Sequence, residues 1–216
     1  MIEWEGIFRE LESVKDSSDL PSVSLIGEEN GSPFSILVST VISLRTKDDV
    51  TLAASRRLLE KAGSPALLAN MPEEEIARLI YPCGFYRVKS SNLKKIGEIL
   101  CDRRAGSVPD TLQELLALPG VGLKTANLVL SLGFGIPAIC VDTHVHRIAN
   151  RMGWVRTAKP DDTVGALERV LPEKYWIPVN ELLVLFGQKI CQPVSPRCSE
   201  CPLTTHCLKT GVTRSR

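Results

Sequence analysis

No apolar run in this 216-residue chain approaches membrane-spanning length, so the sequence excludes a transmembrane helix. The opening MIEWEGIFRELE is acidic and lacks the basic start and apolar centre of a signal or transit peptide. Together these absences predict a soluble, cytoplasmic protein with no membrane partner. An excess of one charge is missing as well: 26 Lys and Arg face 25 Asp and Glu, so the formal +1 points to no nucleic-acid partner by itself. Val, Ile and Thr occur, but not in period-two alternation over the length of a strand, which argues against a sheet-based core. Internal repeats and low-complexity tracts are absent too. What remains is an all-α chain, with apolar content for one sizeable domain or two small ones.

The near-neutral total hides an uneven distribution. Glu3, Glu5, Glu10, Glu12, Asp16, Asp19, Glu28 and Glu29 crowd the start of the chain against only Arg9 and Lys15. Residues 86–104 reverse this, with Arg87, Lys89, Lys94, Lys95, Arg103 and Arg104 against Glu98 and Asp102; residues 143–159 carry bases and no acid. Such stretches suit solvated helix faces, and equally a phosphate-binding surface of limited extent.

Helical signals run from end to end. Ser32 as N-cap and Pro33 at the first helical position open an apolar segment dense enough to be a buried central helix. Thr46 followed three residues later by Asp49 predicts a capping box, and Gly63 a stop. Further helices are expected over residues 72–81, 89–103, 143–152, 162–170 and 179–190, with two short ones flanking a glycine turn. In the 89–103 helix, Leu93, Ile96, Ile99 and Leu100 form the apolar stripe and the lysines the opposite face. Glycines and Pro137 mark residues 133–142 as a domain seam.

Cysteines are informative by position. Cys191, Cys198, Cys201 and Cys207 make a C-x6-C-x2-C-x5-C tail. Four thiolates this close repel unless a cation or cluster neutralises them, and four cysteines suit either tetrahedral zinc or a 4Fe-4S cluster. Only Cys198 and Cys201 make a zinc-like knuckle, so the longer gaps favour the 4Fe-4S cluster. Cys83, Cys101 and Cys140 sit among apolar residues and read as small core residues.

The segment LPGVGLK combines a proline, two glycines and a lysine between short helices. Pro119, Gly120, Val121 and Gly122 match a helix-hairpin-helix turn, whose glycines permit positive φ and present successive backbone N–H groups at a helix amino end, an anion site made without side chains. Contact of that kind positions nucleic acid without reading its sequence. Lys124 lies in the first turn of the second helix, where the dipole disfavours the ammonium form, a condition for a nucleophilic amine. It also fits a second phosphate clamp. Asp142 fits two roles, an N-cap for the helix from Thr143 or a carboxylate facing positive charge on a sugar.

LPGVGLKTANLVL, VDTHVHRIANR and the cysteine tail, in this order, closely resemble the endonuclease III family of helix-hairpin-helix DNA glycosylases, over residues 32–207. That resemblance implies a six-helix barrel domain at residues 26–135 with the hairpin at 111–130, and a cluster domain built from residues 1–25 and 136–216 with its 4Fe-4S loop at 191–207. Damaged double-stranded DNA would bind across the cleft between the domains. It implies a nucleoid-associated base-excision enzyme: a glycosylase that removes oxidised pyrimidines and an AP lyase that nicks 3′ to the abasic site. The lack of a coiled-coil pattern or a long exposed apolar helix predicts a monomer. Lys124 falls on the family's nucleophile and Asp142 on its catalytic aspartate. Gly120, Val121, Gly122 and Thr125 fall in the hairpin's DNA contact, and Cys191, Cys198, Cys201 and Cys207 on the cluster ligands. In CGFYRVK, Phe85 stands where the family inserts an apolar wedge into the base stack, though an aromatic there also suits anchoring the Gly84 turn to the core. Arg45, in ISLRTKDD, replaces the family's usual glutamine, with consequences for opposite-base preference. His144 matches the family's DTH, near the sugar or phosphate. Arg197 is the one charge of CQPVSPRC, which predicts a weaker phosphate contact there than in more basic relatives. Other classes compatible with parts of this pattern are a mismatch thymine glycosylase, a non-catalytic Fe-S DNA-binding protein and a zinc-stabilised interaction domain.

Overall fold

The computed structural model describes residues 2–15 and 20–216, together with the backbone but not the side chains of Arg103 and Arg104. Asp16 and Asp19 of the acidic opening, and the side chains of those two arginines, therefore lie outside the described residues. Every regular element among the described residues is helical, as the missing strand pattern predicts. None of the described helices is long and apolar enough to cross a membrane.

Two compact units are built from the chain. One comprises residues 22–138, the other residues 139–216 and the chain start to Pro21. In the first, α1 (Trp4–Ser13) plays no part; its helices are α2 (Ser22–Asn30), α3 (Pro33–Ser43), α4 (Asp48–Lys61), α5 (Pro65–Asn70), α6 (Glu73–Ile80), α7 (Tyr86–Arg104), α8 (Leu112–Leu116) and α9 (Leu123–Leu128). The helix α3 is central because Phe34 through Ile42 are all buried; each large aliphatic side chain there contributes about 1.5–3 kcal/mol. Ser32 caps it as expected, its hydroxyl accepting the Ser35 N–H at 3.0 Å, with Pro33 at the first position. Ser64 and Pro65 start α5, a helix of six residues with too short an apolar pattern to stand out, by the same device. Packed on α7 are α5 and α6, while α2, α3 and α4 pack on one another. A π-helical turn at Val129–Gly133 continues α9 and packs on α3.

In the second unit, α10 (Thr143–Met152), α11 (Pro160–Glu168) and α12 (Pro178–Lys189) join α1. Helix α12 packs on α10 and on α1. Phe8 of α1 stacks on Tyr175 with ring centroids 3.9 Å apart, and Trp4 meets Trp154 edge-on at 5.0 Å.

Two local expectations fail. Thr46 is not an N-cap: α4 begins at Asp48, Lys47 stands at the cap without a side-chain bond, and the Thr46 hydroxyl is engaged elsewhere. Lys89 does not lie on a solvated face; it is 5 % exposed, on the same stripe as Leu93, Ile96 and Leu100. Cys83 and Cys140 are core residues as expected, whereas Cys101 is only half-buried.

Candidate active site

The hairpin is assembled from α8, the turn after it and α9. Gly120 adopts φ +76°, a backbone conformation that selects glycine; a Cβ there would also fall 2.4 Å from the Asn92 amide nitrogen and push that side chain aside. Gly122 departs from the expectation of positive φ: at φ −103°, ψ −178° it is an extended residue, the N-cap of α9. It is exposed and supplies no side chain, so the amino end of α9 is open to an approaching group. The first bond of α9 runs from the Ala126 N–H to the Gly122 carbonyl at 2.9 Å. Val121 and Thr125 are buried, at 8 % and 1 % exposure, so their side chains belong to the core; the Val121 N–H, expected to face a ligand, instead donates to the Leu118 carbonyl at 3.2 Å and closes the turn. Lys124, half-buried, is the second residue of α9.

In the same unit, two short loops carry Arg45 and Phe85. Both residues have left-handed backbones, φ 51° and 57°, a region sparsely populated by residues with a Cβ. Phe85 is 60 % exposed and so does not anchor the Gly84 turn to the core. Instead the Arg45 guanidinium lies over its ring, 5.4 Å from the centroid. A Cβ on Gly84 would fall 2.4 Å from the Arg45 carbonyl oxygen, so the loops meet backbone to backbone. Beneath them is Lys89, a functional candidate that pattern reasoning missed, although its spacing of four, seven and eleven residues from Leu93, Ile96 and Leu100 marks it as inward-facing. Burial pushes its pKa from the ordinary 10.5 down to about 8, partly offset by nearby Cys83.

In the other unit, Asp142 caps α10: its Oδ1 accepts the N–H groups of His144 and Val145, both at 2.9 Å. Both bonds use one oxygen, so Oδ2 is not consumed by the cap. The His144 ring accepts at Nδ1 from Arg147, at 3.2 Å, since a guanidinium only donates; the ring proton is thereby placed on Nε2.

The cysteine tail folds into a pocket lined by Cys191, Cys198, Cys201 and Cys207, with Phe186 and Ile190 among its apolar walls. Burial pushes the Cys201 thiol up to about 11 and raises that of Cys207; the other three cysteines add to each shift or, for Cys207, two of them do. Arg151, Arg197 and Lys209 also line the pocket, and Arg151 donates to the Cys191 sulfur at 3.5 Å; a cation bound among the sulfurs would favour their thiolate forms further. No group of three or more His, Cys, Asp or Glu side chains among the described residues converges on a single-ion site. Two arginines of α10 hold the loop: Arg147 donates to the Cys191 carbonyl at 2.8 Å, and Arg151 to the Gln192 and Pro193 carbonyls, each at 2.7 Å. Arg197 is exposed and pairs with Glu200 at 3.5 Å.

Comparison with known proteins follows the same lines. Residues 38–173 match the model of the HhH-GPD superfamily base excision DNA repair proteins. An endonuclease III from Thermotoga maritima is 50 % identical over 175 residues, 81 % of this chain and 82 % of that protein. The chloroplastic endonuclease III homolog 2 of Arabidopsis thaliana is 40 % identical over 94 % of this chain, which spans only 57 % of that longer protein. Among solved structures, a trapped endonuclease III–DNA covalent intermediate, an estranged-adenine complex, superposes with a TM-score of 0.79 at 32 % identity and covers 97 % of each chain.

Proposed function

The chain belongs to the HhH-GPD superfamily of base excision DNA repair proteins, and from that premise we propose that it is a bifunctional DNA glycosylase and AP lyase acting on oxidised pyrimidines in double-stranded DNA. The observation that carries this reading is a half-buried lysine in the first turn of α9, directly behind the Gly120–Gly122 turn. A monofunctional glycosylase activates water and needs no amine; a bifunctional one needs an amine nucleophile next to its DNA anchor.

Main-chain N–H groups of the hairpin, from Gly120, Gly122 and Thr125, hold a phosphate, aided by the dipole of α9, while the Val121 N–H donates to the Leu118 carbonyl at 3.2 Å and shapes the turn that presents them. The damaged nucleotide leaves the stack, and Phe85 with Arg45 fills the gap. Nζ of Lys124 attacks C1′ as the glycosidic bond breaks, and the base departs with the bonding pair and takes up a proton. Asp142 offsets the positive charge that develops on the sugar, through the oxygen its cap leaves unused. Ring opening makes an imine between Lys124 and C1′; loss of a C2′ proton then expels the 3′ phosphate, nicking the strand. His144 and Arg197 contribute phosphate or sugar contacts. The unit of residues 22–138 serves as the barrel domain and the other as the cluster domain of a monomer that works where the genome is.

Cys191, Cys198, Cys201 and Cys207 hold a 4Fe-4S cluster in this reading. The donor set, four thiols with no carboxylate or imidazole in the pocket lining, suits a thiolate-held centre, and the six- and five-residue gaps between the cysteines favour the cluster over zinc. When bound, the cluster neutralises the thiolates and cross-links a loop otherwise held by Arg147 and Arg151. Purified protein is expected to be brown, and Cys198→Ser to lose the colour and much of the thermal stability of this unit; a colourless wild type containing zinc would overturn the assignment.

Borohydride reduces an imine to a permanent bond, which makes the central test direct. Incubated with a duplex carrying one thymine glycol and borohydride, the wild type is expected to give a covalent protein–DNA band and Lys124→Ala none. Release of the base without a band would make the enzyme monofunctional, as a thymine mismatch glycosylase would be; neither release nor band, on this lesion or an abasic site, would leave a binding protein.

A further inference from the structure

One buried side chain ties the Arg45 and Phe85 loops together from underneath. The Lys89 ammonium donates to the Ile42 carbonyl at 2.7 Å, the Leu44 carbonyl at 2.5 Å and the Thr46 hydroxyl at 2.8 Å, using all three of its donors. That hydroxyl also accepts the Gly84 N–H at 3.2 Å, reaching the second loop. The main-chain N–H of Lys89 donates to the Phe85 carbonyl at 3.0 Å. The Lys89 side chain thus grips the chain on both sides of Arg45 and, through the Thr46 hydroxyl, the Gly84 N–H next to Phe85; the Phe85 carbonyl bond is the first bond of α7 and fixes where that side chain starts.

Stability alone does not call for a lysine here. An apolar residue in this stripe would avoid burying a charge, and none of the three acceptors is a carboxylate. What the ammonium supplies instead is three fixed directions. Left-handed residues with a Cβ persist where their surroundings over-determine them, and Arg45 and Phe85, the two whose side chains meet, flank this cage.

We infer that Lys89 is a positioning residue: it locks Arg45 and Phe85 into a single rigid wedge, and through that wedge it sets the preference for duplex with a vacated base position over intact duplex. The inference rests on the DNA-repair reading above. Lys94 provides the control. It lies on the same helix and caps carbonyls in the same manner, donating to Ala69 at 2.7 Å and Met71 at 3.2 Å, but those belong to the α5 end and not to the wedge loops.

The test measures equilibrium binding of the full chain to two duplexes of one length, one intact and one with a tetrahydrofuran abasic analogue. Wild type and Lys94→Met are expected to prefer the analogue to the same degree. Lys89→Met is expected to lose about tenfold or more of that preference, all of it on the analogue side, and Lys89→Arg to recover part. A merely destabilised fold lowers binding to both duplexes alike, so an equal loss on both, or an unchanged preference, overturns the inference. If circular dichroism shows Lys89→Met unfolded, Thr46→Val carries the same expectation, because it removes the hydroxyl linking Lys89 to Gly84. A wild type with no preference overturns the DNA-repair reading and this inference with it, whereas a preferring wild type with a preferring Lys89→Met overturns the inference alone.

Discussion

Lys89 and Lys124 belong to the same unit and sit near the amino ends of two of its helices, α7 and α9, yet they are opposite kinds of lysine. Lys89 is almost fully enclosed, its pKa is pushed down to about 8, and its three donors are consumed by the protein. Lys124 stands half-buried behind a turn open at Gly122. A search for a nucleophile by perturbed acidity alone would select Lys89. Access favours Lys124 in the proposed reaction, since an amine that attacks a sugar must reach it, and Lys89 is sealed beneath two loops. Perturbed groups mark functional neighbourhoods, but structural networks perturb them too.

The comparison breaks most visibly in the trapping experiment. Lys124→Ala should lower strand nicking by on the order of 10⁴-fold, with no trapped band. Lys89→Met should still give the band once enzyme is saturating, and a missing band in that folded variant would mean the nucleophile has been misassigned. Asp142→Asn comes next. Asparagine keeps the cap of α10, so stability should change by less than about 0.5 kcal/mol, while single-turnover base release should slow by about 10²–10³-fold if, as proposed, the carboxylate charge faces the sugar. Loss of stability matching the loss of rate would reduce Asp142 to its capping role.

The smallest effect concerns pH and belongs to Lys89 alone. Its folded pKa of about 8 lies below the ordinary 10.5, so within that window the unfolded chain holds a proton the folded chain has released. Stability due to Lys89 should then rise with pH between about 8 and 10.5, by roughly 1–3 kcal/mol at most. Cys83, the titrating neighbour, has its pKa raised by burial and works in the opposite direction. Because the two groups shift each other, the comparison of Lys89→Met with its parent is made in a Cys83→Ala background, where the urea unfolding free energies differ at each pH by the Lys89 contribution without that of Cys83. A flat difference would show that the ammonium is solvated, and so not enclosed as the structure has it.

How much of this was legible beforehand depended on distance along the chain. Caps act within one turn, so Ser32 with Pro33 and Asp142 with Thr143 could be read directly. Thr46 misled because its hydroxyl, equally able to cap α4, is taken by Lys89 and Gly84 from 43 and 38 residues away. Helix α7 starts three residues before the apolar pattern at Lys89 because Phe85, in a left-handed conformation, serves as its cap, and nothing local predicts that. Gly120 showed its need for positive φ in the turn motif, while Gly122 did not share it.

By itself the sequence determined the all-α class, the hairpin with its lysine, the aspartate at the head of α10 and the compact cysteine tail, because each is a matter of residue type and spacing over a few residues. Only the tertiary structure decided that Thr125 turns into the core, that Arg45 stacks on Phe85, and that four cysteines line one pocket gripped by Arg147 and Arg151. It also decided the fate of Lys89, whose first acceptor lies 47 residues earlier. Burial of a charge depends on which distant carbonyls close around it, and only packing brings those into place.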